Sequence, residues 1–341
     1  MPETTTQAMQ RALDLASSGI RGANPLVGAV ITDKQGTIVA EGYHQGSGTP
    51  HAEIAALEQL PQNLDPEELT LYVTLEPCNH TGHTGPCTQA IIKSGIKHVV
   101  IAALDPTERA SGGQHTLKKA GISVENGILE AESLELNNRW FQAQQEKRPF
   151  VTVKFAQTLD GKIAAIDASS QWITGEEARK DTHRDRTHVD ALIIGTGTLL
   201  ADNPALTARI DGELAIHQPK AIVIGYRDIP QDALLRKHPA GFQHFKNHNL
   251  KQMLLELRNQ GMVHVMVEGG ASLLAEFFKA DLVDNVVVYL APKILGSGKA
   301  AIADMGIKNI KEALELEYDS FFPPQYCGND MKLHLIPHRK A

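Results

Sequence analysis

The stretch Thr49-Pro50-His51-Ala52-Glu53 follows a glycine-rich loop and has the composition of a helix start. Threonine is a favourable N-cap residue and proline a favourable first helical residue, so His51 and Glu53 are predicted in the first helical turn. Positions two apart on a regular helix do not share a face. Both side chains can therefore approach one ligand only beyond the helix end, which predicts a functional site there.

Two cysteines further along the chain supply candidate metal ligands for this site. Cys78 lies on a polar loop after the predicted strand 69–74, and Cys87 begins the predicted helix 87–93, where the helix dipole favours an anionic sulfur. One imidazole and two thiolates can hold a zinc ion and leave its fourth position open for water. The carboxylate of Glu53 can then move the protons of that water. The sequence predicts a hydrolytic zinc site.

The combination of these residues is more specific than any one of them. A lone His-x-Glu, or two cysteines with eight residues between them, is a weak signal. His-Ala-Glu at a helix start, a strand, and Pro-Cys with a second cysteine downstream are together typical of zinc nucleobase deaminases, although the gap in their Pro-Cys-x-x-Cys is shorter. His80 and His83 lie inside the gap as rival ligands. We expect them at the rim, because a His/Cys/Cys set already satisfies a catalytic zinc.

Composition and charge limit the class of protein. The chain has 341 residues, of which 42% are hydrophobic and 21% charged, and this length favours two domains. No apolar run approaches the roughly 18 residues of a membrane span, and the N-terminus lacks signal-peptide features, so we expect a soluble, cytoplasmic protein. A formal net charge of −7 argues against a general nucleic-acid or membrane binder. Three cysteines in such a chain predict metal or thiol chemistry rather than disulfides.

Strand and helix patterns alternate along the chain, which indicates α/β sheets layered with helices. The polar run 144–149 interrupts the alternation, and we predict two domains, 1–146 and 147–341. In the second domain a capping-box match that starts at Thr174 predicts a helix to about Arg186, and residues 236–249 are expected to form a surface loop. Further buried strands are predicted at 150–156, 189–194, 221–224, 262–267, 286–290 and 331–336.

Linked motifs in both halves of the chain resemble those of a known family. In the first half they are Asn24-Pro25-x-Val27-Gly28, His51-Ala52-Glu53, Thr74-Leu75-Glu76-Pro77-Cys78-x-His80, Gly85-Pro86-Cys87 and Asp105-Pro106. In the second half they are Lys154-x-Ala156-x-x-Leu159-Asp160-Gly161-Lys162, Ser170-Gln171-Trp172-Ile173-Thr174-Gly175, Gly197-Thr198-x-x-Ala201-Asp202, Leu206-Thr207-x-Arg209, Val267-Glu268-Gly269-Gly270 and Ala291-Pro292. The set covers nearly the whole chain and resembles the bifunctional riboflavin-biosynthesis deaminase/reductase family.

The resemblance implies a two-step enzyme. The N-terminal domain would be a cytidine-deaminase-like αβα layer structure that uses one zinc ion per chain to remove the ring amine of a diaminopyrimidinone carrying a ribosylamine phosphate. The C-terminal domain, a dihydrofolate-reductase-like α/β structure, would then use NADPH to reduce the ribosyl group to ribityl. The expected partners are this small phosphorylated pyrimidine and NADPH, without nucleic acid or membrane. A homo-oligomer is expected by analogy only.

The same resemblance assigns roles to residues by position. The implied zinc ligands are His51, Cys78 and Cys87, the implied proton shuttle is Glu53, and the implied pyrimidine contacts are Asn24 and His44. The implied NADPH contacts are Ala156, Trp172, Thr198, Asp202 and the turn that begins at Gly270. The implied contacts of the reductase substrate are Ser170, Arg186, Leu206, Arg209 and Glu268. Backbone N–H groups at a Gly-Gly between strand and helix can also approach a phosphate on physical grounds.

Three positions depart from the family pattern. Asn203 stands where a second aspartate is common, and Ile224-Gly225-Tyr226 replaces the usual aspartate after a strand. His83 stands where arginine is common. These departures bear on the cofactor and substrate contacts more than on the two activities.

Two other classes of protein stay open from the sequence. A zinc deaminase acting on another nucleobase or on RNA, with a non-catalytic C-terminal domain, would share the zinc residues. An RNA enzyme should, however, present a basic surface with exposed aromatic residues. A structural zinc module would prefer four protein ligands and would leave Glu53 without a role.

Overall fold

The computed structural model describes residues 3–19, 24–46, 48–79, 85–107 and 111–338. The chain divides into two compact units, Met1–Gln145 and Glu146–Ala341. Each unit has its own sheet and its own hydrophobic core. Among the described residues, no helix combines the length and the apolar character needed to cross a membrane.

The first unit is built on one mixed sheet. Its described helices are α1 (Glu3–Ser17), α2 (Ala52–Glu58), α3 (Cys87–Ser94), α4 (Gly113–Lys119) and α5 (Glu130–Gln145), with a 3₁₀ turn at Pro66–Glu68. Its strands are β1 (Gly28–Thr32), β2 (Ile38–Tyr43), β3 (Thr70–Leu75), β4 (His98–Ala103) and β5 (Ser123–Asn126). The strand order is β2-β1-β3-β4-β5; β1 is antiparallel to both neighbours, and the β3–β4 and β4–β5 pairs are parallel.

Both faces of this sheet are covered by helices. Successive strand residues point to opposite faces, and Val30 and Tyr72 pack in the core cluster that contains Met9 of α1. Their neighbours Ile31 and Leu71 pack in the other cluster, with residues of α2 and α3. The αβα layers predicted for the N-terminal half are therefore confirmed.

The helix that carries Glu53 begins later than the sequence predicts. His51, with an extended backbone, is the N-cap residue of α2, and Ala52 is its first residue; the prediction that Thr49 and Pro50 occupy these positions is wrong. The Thr49 hydroxyl instead donates to the Gly46 carbonyl at 2.7 Å and closes the turn before the helix. His51 and Glu53 still lie at the same helix end.

The close approach of α2 to the sheet depends on Gly42 in β2. A Cβ atom at Gly42 would lie 2.5 Å from the carbonyl oxygen of Ala52 and would also collide with the backbone at Ala56. Backbone atoms of a packed helix cannot move aside unless the helix itself moves. Gly42 therefore sets the position of the helix that follows His51.

The second unit contains a larger sheet. Its described helices are α6 (Glu176–Arg186), α7 (Thr196–Asp202), α8 (Leu250–Asn259) and α9 (Ala271–Lys279), with 3₁₀ turns at Leu234–Lys237 and Ile310–Glu312. Its strands are β6 (Phe150–Thr158), β7 (Lys162–Ala164), β8 (Ala191–Gly195), β9 (Arg209–Ile210), β10 (Glu213–Leu214), β11 (Lys220–Ile224), β12 (Phe242–Phe245), β13 (His264–Gly269), β14 (Asn285–Ala291), β15 (Lys299–Ala300), β16 (Leu316–Tyr318), β17 (Gln325–Cys327) and β18 (Asp330–Pro337).

The main sheet has the strand order β12-β11-β8-β13-β6-β14-β18-β16, with β17 also paired to β18. Strands β12 to β14 of this order run parallel, and the pairs that involve β18 are antiparallel. In β8, Ile193 packs into the cluster on one side of the sheet, while Leu192 and Ile194 pack into the other cluster. Burial on both faces explains why the central strands are continuous apolar runs. The predicted C-terminal α/β fold is confirmed.

The segment 236–249 differs from its prediction as a surface loop. It contains the edge strand β12 and leads into α8, a helix that the sequence-based prediction omits. The buried residues of α8 are Leu250, Met253, Leu254 and Leu257. This spacing belongs to one helical face, so the signal for α8 was present in the sequence.

Helix α6 begins with a cap that comes from a distant part of the chain. Its N-cap residue is Gly175 rather than the predicted Thr174, and glycine has no side chain that could cap the helix. The Gly175 N–H instead donates to the buried carboxylate of Asp330 at 2.6 Å. A cap supplied by β18 cannot be read from the local capping-box pattern.

A buried ionic network holds one side of α6 against the sheet. The ammonium of Lys332, which is 5% exposed, donates to Asp181 and Asp185 at 2.8 Å each. The hydroxyl of the fully buried Tyr289 lies 2.7 Å from Asp181 and 2.8 Å from Asp185. Burial lowers the pKa of Lys332, but the two carboxylates outweigh it and raise that pKa overall. The basic residues on the other side of α6 line a cleft.

We predict that Gly42→Ala destabilises the chain by about 1–3 kcal/mol, because α2 must shift to admit a methyl group. Urea unfolding followed by circular dichroism measures the change. Gly85→Ala is the matched control, since no residue that the structure describes lies within 4 Å of the Cβ position there. Equal stability of the two variants would contradict the role given to Gly42.

Candidate functional site

His51, Cys78 and Cys87 come together in the first unit. One ligand atom from each, the imidazole nitrogen and the two sulfurs, lies within 4.8 Å of the others. His51 Nδ1 is 3.2 Å from Cys87 Sγ and 3.6 Å from Cys78 Sγ. The rival ligands His80 and His83 lie outside the described residues.

Local structure explains why the two sulfurs converge. Cys87 is the first residue of α3, after the N-cap Pro86, and it is fully buried. Its backbone N–H donates to Cys78 Sγ at 3.4 Å, and the N–H of Thr88 donates to the Cys78 carbonyl at 3.3 Å. The start of α3 thus binds the loop that carries Cys78.

The donor set fits a catalytic zinc ion. In a tetrahedral site with Zn–N near 2.0–2.1 Å and Zn–S near 2.3 Å, nitrogen and sulfur ligands lie roughly 3.6 Å apart, and the two nitrogen–sulfur distances here are close to that value. A hydrogen bond from the Cys87 thiol, helped by one from His51, lowers the pKa of Cys78 to about 4. The same bond and burial raise the pKa of Cys87. A bound dication would favour the thiolate of both.

Glu53 is placed to exchange protons at this set of ligands. Its side chain is 3% exposed, and it lies close enough to Cys78, His51 and Cys87 for these groups to act on its pKa. Burial raises the pKa of Glu53. A buried carboxyl group beside three metal ligands is not explained by solvation of a helix face.

Asn24 and His44 contact each other next to His51. His44 Nδ1 lies 3.0 Å from the Pro50 carbonyl, which can only accept, so Nδ1 carries the proton and Nε2 accepts from the Asn24 amide at 2.9 Å. Burial lowers the pKa of His44 and so favours this neutral form. The rings of His44 and His51 are edge-to-face with centroids 5.5 Å apart. The structure thus brings both predicted pyrimidine contacts to the metal ligands.

Two residues without a predicted role organise the loops around these ligands. The buried carboxylate of Glu76, just before Pro77, accepts from the backbone N–H of Gln114 at 2.8 Å and of Asp105 at 3.2 Å. The Asn137 side chain in α5 makes two 2.8 Å bonds with the backbone of Leu26. Glu76 belongs to a quoted motif, whereas nothing in the local sequence distinguishes Asn137.

The second unit contains a basic cleft of about 650 Å³ beside α6. Predicted contacts that line it are Ala156, Ser170, Trp172, Arg186, Asp202 and Arg209. Its lining includes the six cations Lys154, Arg179, Lys180, Arg184, Arg186 and Arg209, and the three acids Glu176, Asp202 and Asp211. The excess of cations suits a phosphorylated ligand. Lys154, a motif residue without a predicted role, is half-buried there, and desolvation lowers its pKa.

Trp172 is held at the edge of this larger cleft with its ring in solvent. Its side chain is 62% exposed, and the Arg179 guanidinium lies 4.5 Å from the ring centroid. The Lys293 ammonium donates to the carbonyls of Trp172 and Ile173 at 2.9 and 2.7 Å. An exposed indole fixed in this way offers a face to an aromatic ligand.

Glu268 and Leu206 do not line the larger cleft directly. Glu268 makes a bidentate ion pair with Arg186, at 2.8 and 2.7 Å, and so acts through that cleft residue. The Leu206 side chain is 3% exposed and packs in the core, while its carbonyl lies 3.0 Å from His238 Nε2. A substrate contact at Leu206 would have to come from its backbone.

Thr198 and Gly270 line a second, smaller cleft of about 300 Å³. This cleft lies between the start of α7 and the start of α9. The five predicted cofactor contacts are therefore divided, with Ala156, Trp172 and Asp202 in the larger cleft. A dinucleotide has two nucleotide halves, and two clefts in one unit suit such a ligand.

The two departures that the structure describes have backbone explanations. Asn203 is the left-handed C-cap of α7, a conformation that asparagine tolerates, and its side chain accepts from the Leu234 N–H at 2.9 Å. Gly225 has a positive φ of 129°, and a Cβ atom there would lie 2.5 Å from the Thr196 hydroxyl oxygen. Both residues shape the chain around the clefts.

Comparison with known proteins gives matches to both units. Residues 2–103 match the model of the cytidine and deoxycytidylate deaminase zinc-binding region, and residues 149–325 match that of the RibD C-terminal domain. The chain is 42% identical over 332 residues to the riboflavin biosynthesis protein RibD of Aquifex aeolicus, covering 90% of this chain and 92% of that protein. It is 33% identical over 365 residues to the Escherichia coli protein of that name, covering 96% and 98%.

Solved structures agree with these matches over nearly the full length. Acinetobacter baumannii RibD has a TM-score of 0.89 at 33% identity and 99% coverage of each chain. The Thermotoga maritima diaminohydroxyphosphoribosylaminopyrimidine deaminase/5-amino-6-(5-phosphoribosylamino)uracil reductase has a TM-score of 0.85 at 31% identity, covering 98% of this chain and 99% of that one. A nucleobase deaminase with a non-catalytic second domain is therefore not favoured. The chain belongs to the RibD family of riboflavin biosynthesis, with a zinc-dependent deaminase in its N-terminal part and an NADPH-dependent reductase in its C-terminal part.

Proposed function

We propose that the chain removes the ring amine of a diaminopyrimidinone carrying a ribosylamine phosphate, and then reduces its ribosyl group to ribityl. The observation that carries this proposal is the buried Glu53 beside the ligand atoms of His51, Cys78 and Cys87. The basic larger cleft of the second unit supports a phosphorylated substrate for the second step. The two units are proposed to correspond to the two activities.

In the first step the residues of the chain would bind the ring and move its protons. Zinc, when bound by His51, Cys78 and Cys87, activates water for attack on an amidine-like ring carbon. Glu53 would accept the two protons of the water in turn, passing the first to the ring nitrogen and the second to the departing amine, which leaves as ammonia. A carboxyl group suits both transfers because it can carry a proton from one site to the other.

Asn24 and His44 are proposed to orient the pyrimidine over the metal ligands. Their mutual hydrogen bond fixes the amide, so that the remaining Asn24 atoms point in one direction. Asn137 holds the loop after Asn24 at Leu26, which limits motion of that amide. Fixed polar groups can distinguish one ring from another because an unmatched ring would leave them unpaired.

In the second step the larger cleft is proposed to hold the ribosyl phosphate against the cofactor. NADPH, when bound, supplies the reducing equivalents, and the protein supplies position. Trp172, with its ring exposed beside Arg179, offers a stacking face for a ring of the cofactor. Ser170, Arg186 and Arg209 would contact the sugar and its phosphate.

Arg186 is proposed to depend on Glu268 for its orientation. The two side chains are 15% and 9% exposed and share a bidentate pair, and Arg186 also donates to the Thr207 carbonyl at 2.8 Å. A planar guanidinium held at two edges presents a fixed direction to substrate. Leu206 and Thr207 would therefore shape the cleft through their backbone.

We expect about one zinc ion per chain, because three protein ligands and an open position form one catalytic site. Cys87→Ala should lose most of the bound zinc and the release of ammonia. Metal analysis of dialysed protein measures the first and an ammonia assay the second. Cys327→Ala is the matched control and should keep both, so zinc loss in Cys327→Ala, or full zinc in Cys87→Ala, would contradict the ligand set.

We predict that Glu53→Gln slows ammonia release by roughly 10²- to 10⁴-fold, the usual contribution of a positioned acid–base group. NADPH oxidation with a pre-deaminated substrate should be unchanged in the same preparation. Glu58→Gln, an exposed residue of the same helix, is the control and should keep both activities. Loss of both activities in a folded Glu53→Gln variant would contradict the proposal that the two activities have independent sites.

We predict an acid-sensitive contribution of Glu268 to stability. Burial would raise the pKa of Glu268, but Arg186 outweighs it and lowers that pKa to about 2, below an ordinary value of about 4.3. The pair therefore stabilises the folded state above about pH 4.3, and this contribution is lost as the pH falls towards 2.

Between pH 6 and pH 2 the wild type should lose about 3 kcal/mol more unfolding free energy than Glu268→Gln. Denaturant unfolding across this pH range measures the difference, since the other carboxylates are common to both proteins. Glu213→Gln, at an exposed position, should follow the wild type. Parallel pH curves for wild type and Glu268→Gln would show that the ion pair does not depress the pKa.

A further inference from the structure

The smaller cleft carries two cations for which the structure shows no carboxylate. Arg227 and Lys299 both line it and are exposed. Within the part of the chain that the structure describes, neither side chain has a hydrogen bond or an ion pair. The acid in the lining, Glu276, lies 3.3 Å from His248 Nδ1 instead. Two unneutralised cations in a cleft of about 300 Å³ favour an anionic ligand.

Arg227 lies across the start of α7 because two glycines leave space there. A Cβ atom at Gly197 would lie 2.9 Å from Arg227 Nη2, so a side chain at that position would displace the guanidinium. Gly225 lets the end of β11 approach Thr196, where any Cβ would collide. The sequence Gly225-Tyr226-Arg227 thus brings a guanidinium into the cleft at a place where the usual aspartate is missing.

Lys299 lies at the other side of the smaller cleft. Its ammonium is 3.9 Å from the Cβ position of Gly270, the N-cap residue of α9. Gly270 has no side chain that could cap α9, so the first backbone N–H groups of this nine-residue helix have no side-chain partner from the N-cap residue. The start of the helix lines the cleft, which places these N–H groups beside a cation. A cation and a helix start in one place suit the pyrophosphate of a dinucleotide.

An aromatic pair borders the cleft next to Arg227. Tyr226 is 69% exposed, and its ring centroid is 5.2 Å from that of His248 at an interplanar angle of 46°. The Glu276 carboxylate lies 3.3 Å from His248 Nδ1 and so limits the motion of that ring. A large exposed aromatic ring supported by a second ring offers a stacking face for a base.

We propose that the smaller cleft binds the adenosine half of NADPH and that Arg227 recognises its 2′-phosphate. In that dinucleotide the 2′-phosphate is attached to the ribose that carries the adenine. A base stacked on Tyr226 therefore places this phosphate beside the next residue, Arg227. Lys299 and the start of α9 take the pyrophosphate, which NADH also has.

The assignment follows from the chemistry of the two cations. The planar guanidinium matches two oxygens of a terminal phosphate, while the lysine ammonium acts as a point charge. Only NADPH has a terminal phosphate on this ribose. Arg227 is therefore the residue that separates the two cofactors, and Lys299 contributes equally to both.

The test uses the full-length, zinc-loaded chain and measures dissociation constants for NADPH and NADH by fluorescence titration. Arg227→Ala should weaken NADPH binding about 10- to 100-fold, the range expected for a lost charge-assisted hydrogen bond to phosphate, and should change NADH binding less than about 3-fold on the same scale. Arg227→Lys should fall between Arg227→Ala and the wild type for NADPH. Competition by 2′,5′-ADP against 5′-AMP should show the same loss of preference.

The matched control is Lys246→Ala. Lys246 is a nearby exposed cation that pairs with Asp228 and does not line the cleft, so this variant should bind both cofactors as the wild type does. Lys299→Ala should weaken both cofactors by a similar factor. Ammonia release by each preparation checks that the protein is active in its other half.

The inference rests on the proposed reductase function, and the outcomes separate the two. A wild type that binds neither NADPH nor 2′,5′-ADP would overturn both. If the wild type binds NADPH, two results would overturn the role of Arg227 alone. In the first, Arg227→Ala weakens NADPH and NADH binding equally; in the second, it weakens neither. A loss confined to NADPH and 2′,5′-ADP would establish it.

Discussion

The zinc-ligand set requires the beginnings of two helices to lie side by side, because His51 precedes α2 and Cys87 begins α3. Their ligand atoms lie within 4.8 Å, together with Cys78 from the intervening loop. The two helix starts lie close together because α2 packs tightly on the sheet. This packing requires that residue 42 has no side chain, as is the case for Gly42. Glu53, the hydrogen-bonded pair of Asn24 and His44, and the loop organised by Glu76 all lie around these two helix starts.

In the second unit, the corresponding constraint is the orientation of α6. One side of the helix is held by Lys332 and Tyr289 through Asp181 and Asp185, and its start is capped by Asp330. The opposite side presents a row of basic groups to the larger cleft. Buried ion pairs cost desolvation energy and seldom stabilise more than an apolar replacement would. Their hydrogen bonds are directional, however, and therefore fix the rotation of the helix about its axis more closely than non-directional apolar packing does.

Sequence motifs predicted which residues come together in the folded chain, while the roles given to these residues stay predictions. His51, Cys78 and Cys87 meet, and most of the predicted reductase contacts line one of the two clefts. Sequence reasoning failed where an element depends on distant partners. The capping-box match at Thr174 is displaced by the carboxylate of Asp330, and α8 was omitted although its apolar spacing is regular. The side chain of Leu206 packs in the core, since a motif does not say whether a residue acts through its side chain or its backbone.

The sequence by itself determined the two α/β halves, the zinc chemistry and the family, because periodicity and motif spacing are properties of the chain alone. Only the tertiary structure decided which groups meet. It paired Arg186 with Glu268, placed Asn24 against His44, and divided the predicted cofactor contacts between two clefts. It also placed Arg227 and Lys299 in one cleft, where neither side chain pairs with a carboxylate of the described residues. These arrangements depend on how helices pack on sheets across long sequence separations, and no local pattern encodes such distances.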